Sequence, residues 1–209
     1  MSSRPPSLTE RRKAATQLDI ARAAAELFTE RGPDGTTAEE IAERAGVALR
    51  TFYRYFRNKQ DAVGPLLAAG GDRWRALLAA TEPGAAVPES LERAMREALA
   101  APDEHAAEGL RQTRELLRAA AADPALRAVW YRVHQESEEK LIPVLTRLAG
   151  LDAKELETRL AAAAATDAIR VALEVWAATD ADLTGPGSPA ELAGRCLRKL
   201  MGGMRSLTA

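Results

Sequence analysis

The sequence predicts an all-α chain of about nine helices. Three observations carry that expectation. Alanine, leucine, arginine and glutamate, all strong helix formers, dominate the 209 residues. No segment sustains the alternation of β-branched and polar residues that a half-buried strand shows. Prolines, glycines and capping residues recur at helix-length intervals and cut the chain into segments of helical apolar spacing.

Taken in order, residues 1–8 (MSSRPPSL) lack the apolar stretch of a secretory leader and read as a flexible arm. A first helix sets Ile20, Ala24, Leu27 and Phe28 on one face and closes at Arg31-Gly32. Thr37 and Glu40 then stand at the cap and third positions of a second helix, the spacing of a capping box. Ile41, Ala42 and Ala45 give that helix its apolar face, and Gly46 supplies the tight turn that ends it. A third short helix runs from about Ala48 to Phe56. Phe52 and Phe56, four apart, share its buried side. Its other side presents Arg50, Thr51, Tyr53, Arg54 and Tyr55. Two short helices joined by a tight turn are the shape that sets a helix into a DNA major groove. Ala48, at the cap of the third helix, has no side-chain acceptor, and such a loss costs about 1 kcal/mol.

Six further helices follow. Asn58, with Asp61 three residues on, predicts the start of a fourth that runs toward Leu78. Gly64-Pro65 and Gly70-Gly71 predict a kink or break in it, either a mechanical bend or a purely structural one. A fifth spans Pro88 to Ala101 and a sixth Asp103 to Ala121. A seventh opens at Asp123-Pro124 and reaches Leu148, with a kink expected at Pro143. An eighth begins at Asp152 with Glu155 and ends near Thr179. After the GPGSP turn at 185–189, Ser188, Pro189 and Glu191 cap a ninth.

Charge is unevenly placed. The whole chain carries −1, but residues 1–60 hold 11 cations and 8 carboxylates, and the balance beyond them is −4. From Arg44 to Gln60 there are five cations (Arg44, Arg50, Arg54, Arg57, Lys59) and no carboxylate, with hydroxyls and aromatics between them. That mixture suits a phosphate backbone and base edges, although a charge run alone is also what a solvated helix face shows. The single cysteine, Cys196, permits no internal disulfide; it reads as a buried thiol or a redox-sensitive one. No run of 18 apolar residues spans a membrane. His134 and Glu138 have a spacing that can hold a metal, but no further ligand accompanies them, and a surface histidine beside Glu136, Glu138 and Glu139 is the reading preferred here. Phosphate-loop, nucleophile-elbow and C-x-x-C motifs are all lacking, so no catalytic residues, metal or cofactor are assigned and an enzyme is not expected.

The run Thr37, Ile41, Ala42, Ala45, Gly46, Val47, Thr51, Phe52, Tyr53, Tyr55, Phe56 and Lys59 resembles the signature of the TetR family of bacterial transcriptional regulators. The resemblance covers roughly residues 14–62; beyond them only length and helical character match. It implies a helix-turn-helix DNA-binding domain over residues 9–57 and a ligand-binding and dimerisation domain over 58–209. It further implies a cytoplasmic homodimer on a palindromic double-stranded operator, released by a small-molecule inducer. On this basis Leu49, Arg50, Thr51 and Arg54 are expected at base edges, and Thr37, Tyr53, Tyr55 and Lys59 at phosphates. The dimer is expected through residues 152–179 and 188–207, using Leu156, Leu160, Ala164, Ile169, Val171, Leu173 and Trp176 with Leu192, Cys196, Leu197, Leu200, Met201, Met204 and Leu207. The same stripes would equally suit the protomer's own core. Trp74, Met95, Arg114, Trp130, Tyr131 and His134 are candidates for a ligand pocket, residue types that also build any helical core. Two other functions fit the sequence: an activator or co-regulator of the same fold, and a helical small-molecule binding protein that no longer reads DNA.

Overall fold

In a computed structural model the described residues are 7–150 and 155–202. They form α1 (Leu8–Arg31), α2 (Ala38–Arg44), α3 (Leu49–Tyr55), a 3₁₀ turn (Asp61–Val63), α4 (Gly64–Ala79), α5 (Val87–Ala98), α6 (Glu104–Ala122), α7 (Pro124–Ala149), α8 (Glu155–Ala177) and α9 (Pro189–Met201), with no strand among the described residues.

Several helix starts obey local chemistry. Thr37 with Glu40 and Ser188 with Glu191 cap α2 and α9, and Asp103 and Asp123 cap α6 and α7. Ser7 and Glu10 form a further capping box at the start of α1. Ser7 and Leu8, expected in the arm, therefore belong to a helix; residues 1–6 lie outside the described residues.

Two expectations about the fourth helix change. Asn58 does not cap α4. Its Oδ1 accepts the Asp61 N–H at 2.8 Å and so opens the 3₁₀ turn, and α4 starts only at Gly64, with Pro65 in its first turn where no N–H is missed. Gly70-Gly71 do not break α4, which runs unbroken to Ala79. A Cβ on Gly71 would stand 3.0 Å from Ser137 Oγ, so the missing side chain lets α4 close on α7. Tertiary packing here outweighs a weak local propensity. Pro143 likewise sits inside a continuous α7.

The body is a layered bundle in which α4, α7 and α8 pack in succession, α6 covers α7 and α8, and α9 lies along α8 and α5. Trp74, Trp176, Leu91, Met95, Leu126 and Leu141 are fully buried in its core. The two long stripes divide. Ala164, Ile169, Leu173 and Trp176 of α8 and Leu192, Leu197 and Met201 of α9 are buried in the protomer. Leu156, Leu160, Val171 and Val175 of α8 and Leu200 of α9 remain exposed. Cys196 is half-buried. Asp152, Met204 and Leu207 lie outside the described residues. No helix among the described residues is long and apolar enough to cross a membrane.

Candidate nucleic-acid interface and ligand cavity

The turn between α2 and α3 is built from backbone geometry. Gly46 takes φ +66°, where a Cβ would be strained. Val47 N–H donates to the Ala42 carbonyl at 2.9 Å and Gly46 N–H to that of Glu43 at 3.0 Å, the paired bonds of a Schellman close. Phe52 is wholly buried, its ring 5.7 Å from that of Phe56, on a helix that packs against α2. Thr36, also buried, ties the loop to α1 by donating to the Gly32 carbonyl at 2.9 Å and the Leu27 carbonyl at 3.3 Å. Ala48 makes no side-chain cap bond, as its residue type requires.

The outer side of α3 presents Arg50, Tyr53 and Arg54 to solvent, with Leu49 and Thr51 half-buried beside them. Leu49 packs against the core cluster, so only part of it faces outward. Arg54 lies over the Tyr55 ring, 4.8 Å from its centroid, and donates to the Tyr55 hydroxyl at 3.1 Å. Thr37 is exposed, although its hydroxyl is occupied with Glu40.

Two of the five cations are engaged. Arg44 pairs with Glu26 at 3.2 Å and Glu30 at 2.9 Å, and hydrogen bonds to these carboxylates hold its charge more firmly still. Lys59 is half-buried and donates from Nζ to the Thr36 carbonyl at 2.9 Å; the helical turn after it begins two residues later. No ion pair among the described residues engages Arg50, Arg54, Arg57 or Lys59, whose bond to a neutral carbonyl leaves its charge in place, so these four set the free charge of the surface.

Polar contacts join this head to α7. Gln60 Nε2 donates to Asp123 Oδ2 at 3.2 Å, and Arg132 pairs with Asp61 at 2.7 Å. Asp123 Oδ1 meanwhile accepts the Ala125 and Leu126 N–H groups at 2.8 and 3.0 Å. Burial pushes the Asp123 carboxyl up, but its bonds from Leu126, Gln60 and Ala125, with the Lys59 charge, outweigh this and hold it below the ordinary range.

A cavity of about 80 Å³ lies between α4, α6, α7 and α8, walled by Leu67, Leu99, Val133, Ile169 and Leu173. Trp74, Trp130 and His134 all line it, as does Thr166, which sequence reasoning missed because a threonine in an alanine-rich helix carries no local signal. Both His134 ring nitrogens are buried, and the ring meets that of Trp130 edge-on with centroids 4.0 Å apart. Burial pushes its pKa down to about 4, with the Arg170 charge adding to the effect, so the imidazole is neutral near pH 7. The surface-histidine reading is thereby corrected: α7 turns His134 inward, to a cavity whose lining also includes Glu136. No group of residues that could hold a metal occurs among the described residues.

Three expected pocket residues lie elsewhere. Met95 is wholly buried in the core, away from the cavity wall. Arg114 stacks on Trp176 at 3.8 Å and donates to the Ala181 carbonyl, so it braces the α8–α9 loop. Tyr131 is exposed one position round α7 from Trp130, beside a separate recess near Arg118 and Glu174.

With this geometry in place, comparison with known proteins is informative. Residues 20–63 match the family model described as bacterial regulatory proteins, tetR family. The chain is 28% identical over 149 residues to the HTH-type transcriptional regulator TcmR of Streptomyces glaucescens, spanning 70% of this chain and 66% of that protein. It is 35% identical over 98 residues to the HTH-type transcriptional repressor Rv3405c of Mycobacterium tuberculosis, 44% of this chain and 51% of that one. The chain thus spans between half and two thirds of the length of these curated relatives, which are named as transcriptional regulators. Among solved structures it shares the fold of the TetR-family repressor AlkX from Dietzia sp. strain DQ12-45-1b, with a TM-score of 0.60, 20% identity, and coverage of 91% of this chain and 98% of that one. The head, which holds the α2–α3 turn, thus matches the TetR family of bacterial regulatory proteins over residues 20–63, and the chain shares the fold of such a regulator along most of its length.

Proposed function

We propose that the protein is a sequence-specific transcriptional repressor that binds a palindromic operator as a homodimer and leaves it when a small molecule fills the α4–α8 cavity. The observation that carries this reading is the outer side of α3. It offers Arg50 and Arg54, free of ion pairs, beside Tyr53 and Thr51 on a helix whose opposite side is pinned by Phe52. The repressor names of Rv3405c and AlkX support the sign of regulation. Residues 9–57 form the DNA-binding unit and 58–209 the ligand-binding and dimerisation unit. Leu49, Arg50, Thr51 and Arg54 meet base edges, while Thr37, Tyr53, Tyr55 and Lys59 hold phosphates. The exposed apolar residues of α8 and α9 supply the dimer contact, which sets two heads on two half-sites. A DNA-reading repressor of a bacterium works in the cytoplasm. Ligand release follows if the occupied cavity favours a conformation unsuited to the operator, a preference that reaches the head through α7 and its Asp123 and Arg132 contacts.

The test is selection of purified protein against random double-stranded DNA. An enriched inverted repeat is the expected result. No enrichment at low salt without ligand would sink the repressor reading in favour of a binding protein that does not read DNA. A repeat retained in the presence of every cavity ligand would instead indicate an activator or co-regulator.

A further inference from the structure

Three residues that line the cavity, one from each of three helices, carry buried polar groups without partners. The Trp74 indole N–H of α4 belongs to a residue only 1% exposed, and the Thr166 hydroxyl of α8 to one 4% exposed. From α7 come both nitrogens of His134. None of these atoms has a hydrogen-bond partner among the described residues, and all three residues line the same walls. Folded proteins pair most buried polar groups, because each one left unpaired costs about 1–3 kcal/mol. Several such groups around one apolar space are the arrangement of a site prepared for a polar atom of a ligand.

We propose that the cavity selects neutral, mainly apolar molecules carrying one hydroxyl. This rests on the ligand-cavity reading above. The donor and acceptor inventory decides the class. Trp74 can only donate; a neutral His134 carries one donor and one acceptor; Thr166 can do either. A single hydroxyl accepts from Trp74 and donates to the bare imidazole nitrogen, with Thr166 free to complete the set. A lone ketone leaves the imidazole acceptor unpaired, and a hydrocarbon leaves every group unpaired. An anion meets one cation that no ion pair among the described residues engages, Lys140 at the rim, but it also meets the rim carboxylates Asp72 and Glu136. Arg170, the cation nearest His134, is already paired with Asp167 at 2.9 Å and Glu174 at 3.1 Å. At the rim Asp72 and Glu136 balance Arg75 and Lys140, and Asp72 is paired with Arg75.

Three single-ring probes of nearly one shape separate the possibilities: p-cresol, p-xylene and p-toluate, titrated calorimetrically into the full chain at neutral pH. The expected order is p-cresol at least ~10-fold tighter than p-xylene, with p-toluate weakest, as one or two well-made buried hydrogen bonds would give. Trp74→Phe and Thr166→Val should each erase most of that preference while leaving p-xylene binding within ~3-fold of the native value. Thr166→Val should also leave the melting temperature unchanged or raise it, because it removes a polar group that has no partner in the free protein, whereas Trp74→Phe should lower it through the space left in the core. Equal binding of p-cresol and p-xylene overturns the hydroxyl selection and leaves the cavity reading intact. Tightest binding by p-toluate overturns neutrality. A clear fall in the melting temperature of Thr166→Val means that its hydroxyl is already bonded, and removes it from the site. Failure of every probe to bind overturns the cavity reading itself.

Discussion

His134 illustrates how one side chain can couple solution conditions to the fold. In the unfolded chain it titrates near 6.5, whereas in the folded protein burial holds it near 4. Between those values the unfolded chain binds the additional proton, so acid favours unfolding. The full stability is present above pH ~6.5 and falls as the pH drops toward 4, by ~3 kcal/mol at the lower end. Urea unfolding of the native protein and of His134→Gln between pH 7.5 and 4.5 measures this, and the variant should show the shallower loss. Parallel curves would mean that His134 takes up its proton without unfolding. At the proposed DNA surface, Arg50 and Lys59 should separate two kinds of contact. Arg50→Ala should relax discrimination at one base pair by ~1–3 kcal/mol. Lys59→Ala should weaken all sequences alike and lower the salt slope by ~0.9 per subunit. It should also destabilise the fold slightly, because Nζ holds the Thr36 carbonyl. If the salt slope of Lys59→Ala is unchanged, the lysine serves that carbonyl alone.

At the scale of elements, the α2–α3 pair was readable from sequence because its determinants are local. The capping box, Gly46 and the phenylalanines all act within four residues of one another, and all occupy the roles that their spacing implies. What could not be read depends on distant partners. Arg44 counts as a free cation in the linear chain, yet Glu26 and Glu30, 18 and 14 residues earlier, consume its charge. Gly70-Gly71 looks like a helix break until Ser137 of α7 is placed against it. Trp74, His134 and Thr166 share no segment and form a site only once α4, α7 and α8 are packed. The cap of α3 offers an element-scale test. Ala48 already has the extended backbone of a cap residue, φ −67° and ψ 146°, but no side-chain acceptor. Ala48→Ser should therefore stabilise the protein by ~0.5–1 kcal/mol, read as a higher urea midpoint at constant slope. No gain would show that the first-turn N–H groups of α3 are satisfied by solvent as well as by a serine.

For the whole molecule, the division of the α8 and α9 stripes bears on the proposed contact between two copies. Had every apolar residue turned inward, the protomer would be self-sufficient. Instead Leu156, Leu160, Val171 and Val175 recur along one side of α8, spaced by four, eleven and four residues, and Leu200 is exposed on α9. Leu160 is 46% exposed in the protomer, so a change there has little core to disturb. Leu160→Glu should leave helix content and urea stability at low concentration nearly unaltered. In a dimer it would face its symmetry mate or close neighbours across a two-fold axis, with two new carboxylates in a desolvated contact. On the proposed dimer, sedimentation velocity should then show monomer for the variant and dimer for the native chain. Because two linked heads gain affinity through effective concentration, binding to an inverted repeat should fall by ~10²-fold or more, while binding to a single half-site stays the same. A Leu160→Glu protein that remains dimeric and keeps its affinity would move the two-fold contact off this side of α8.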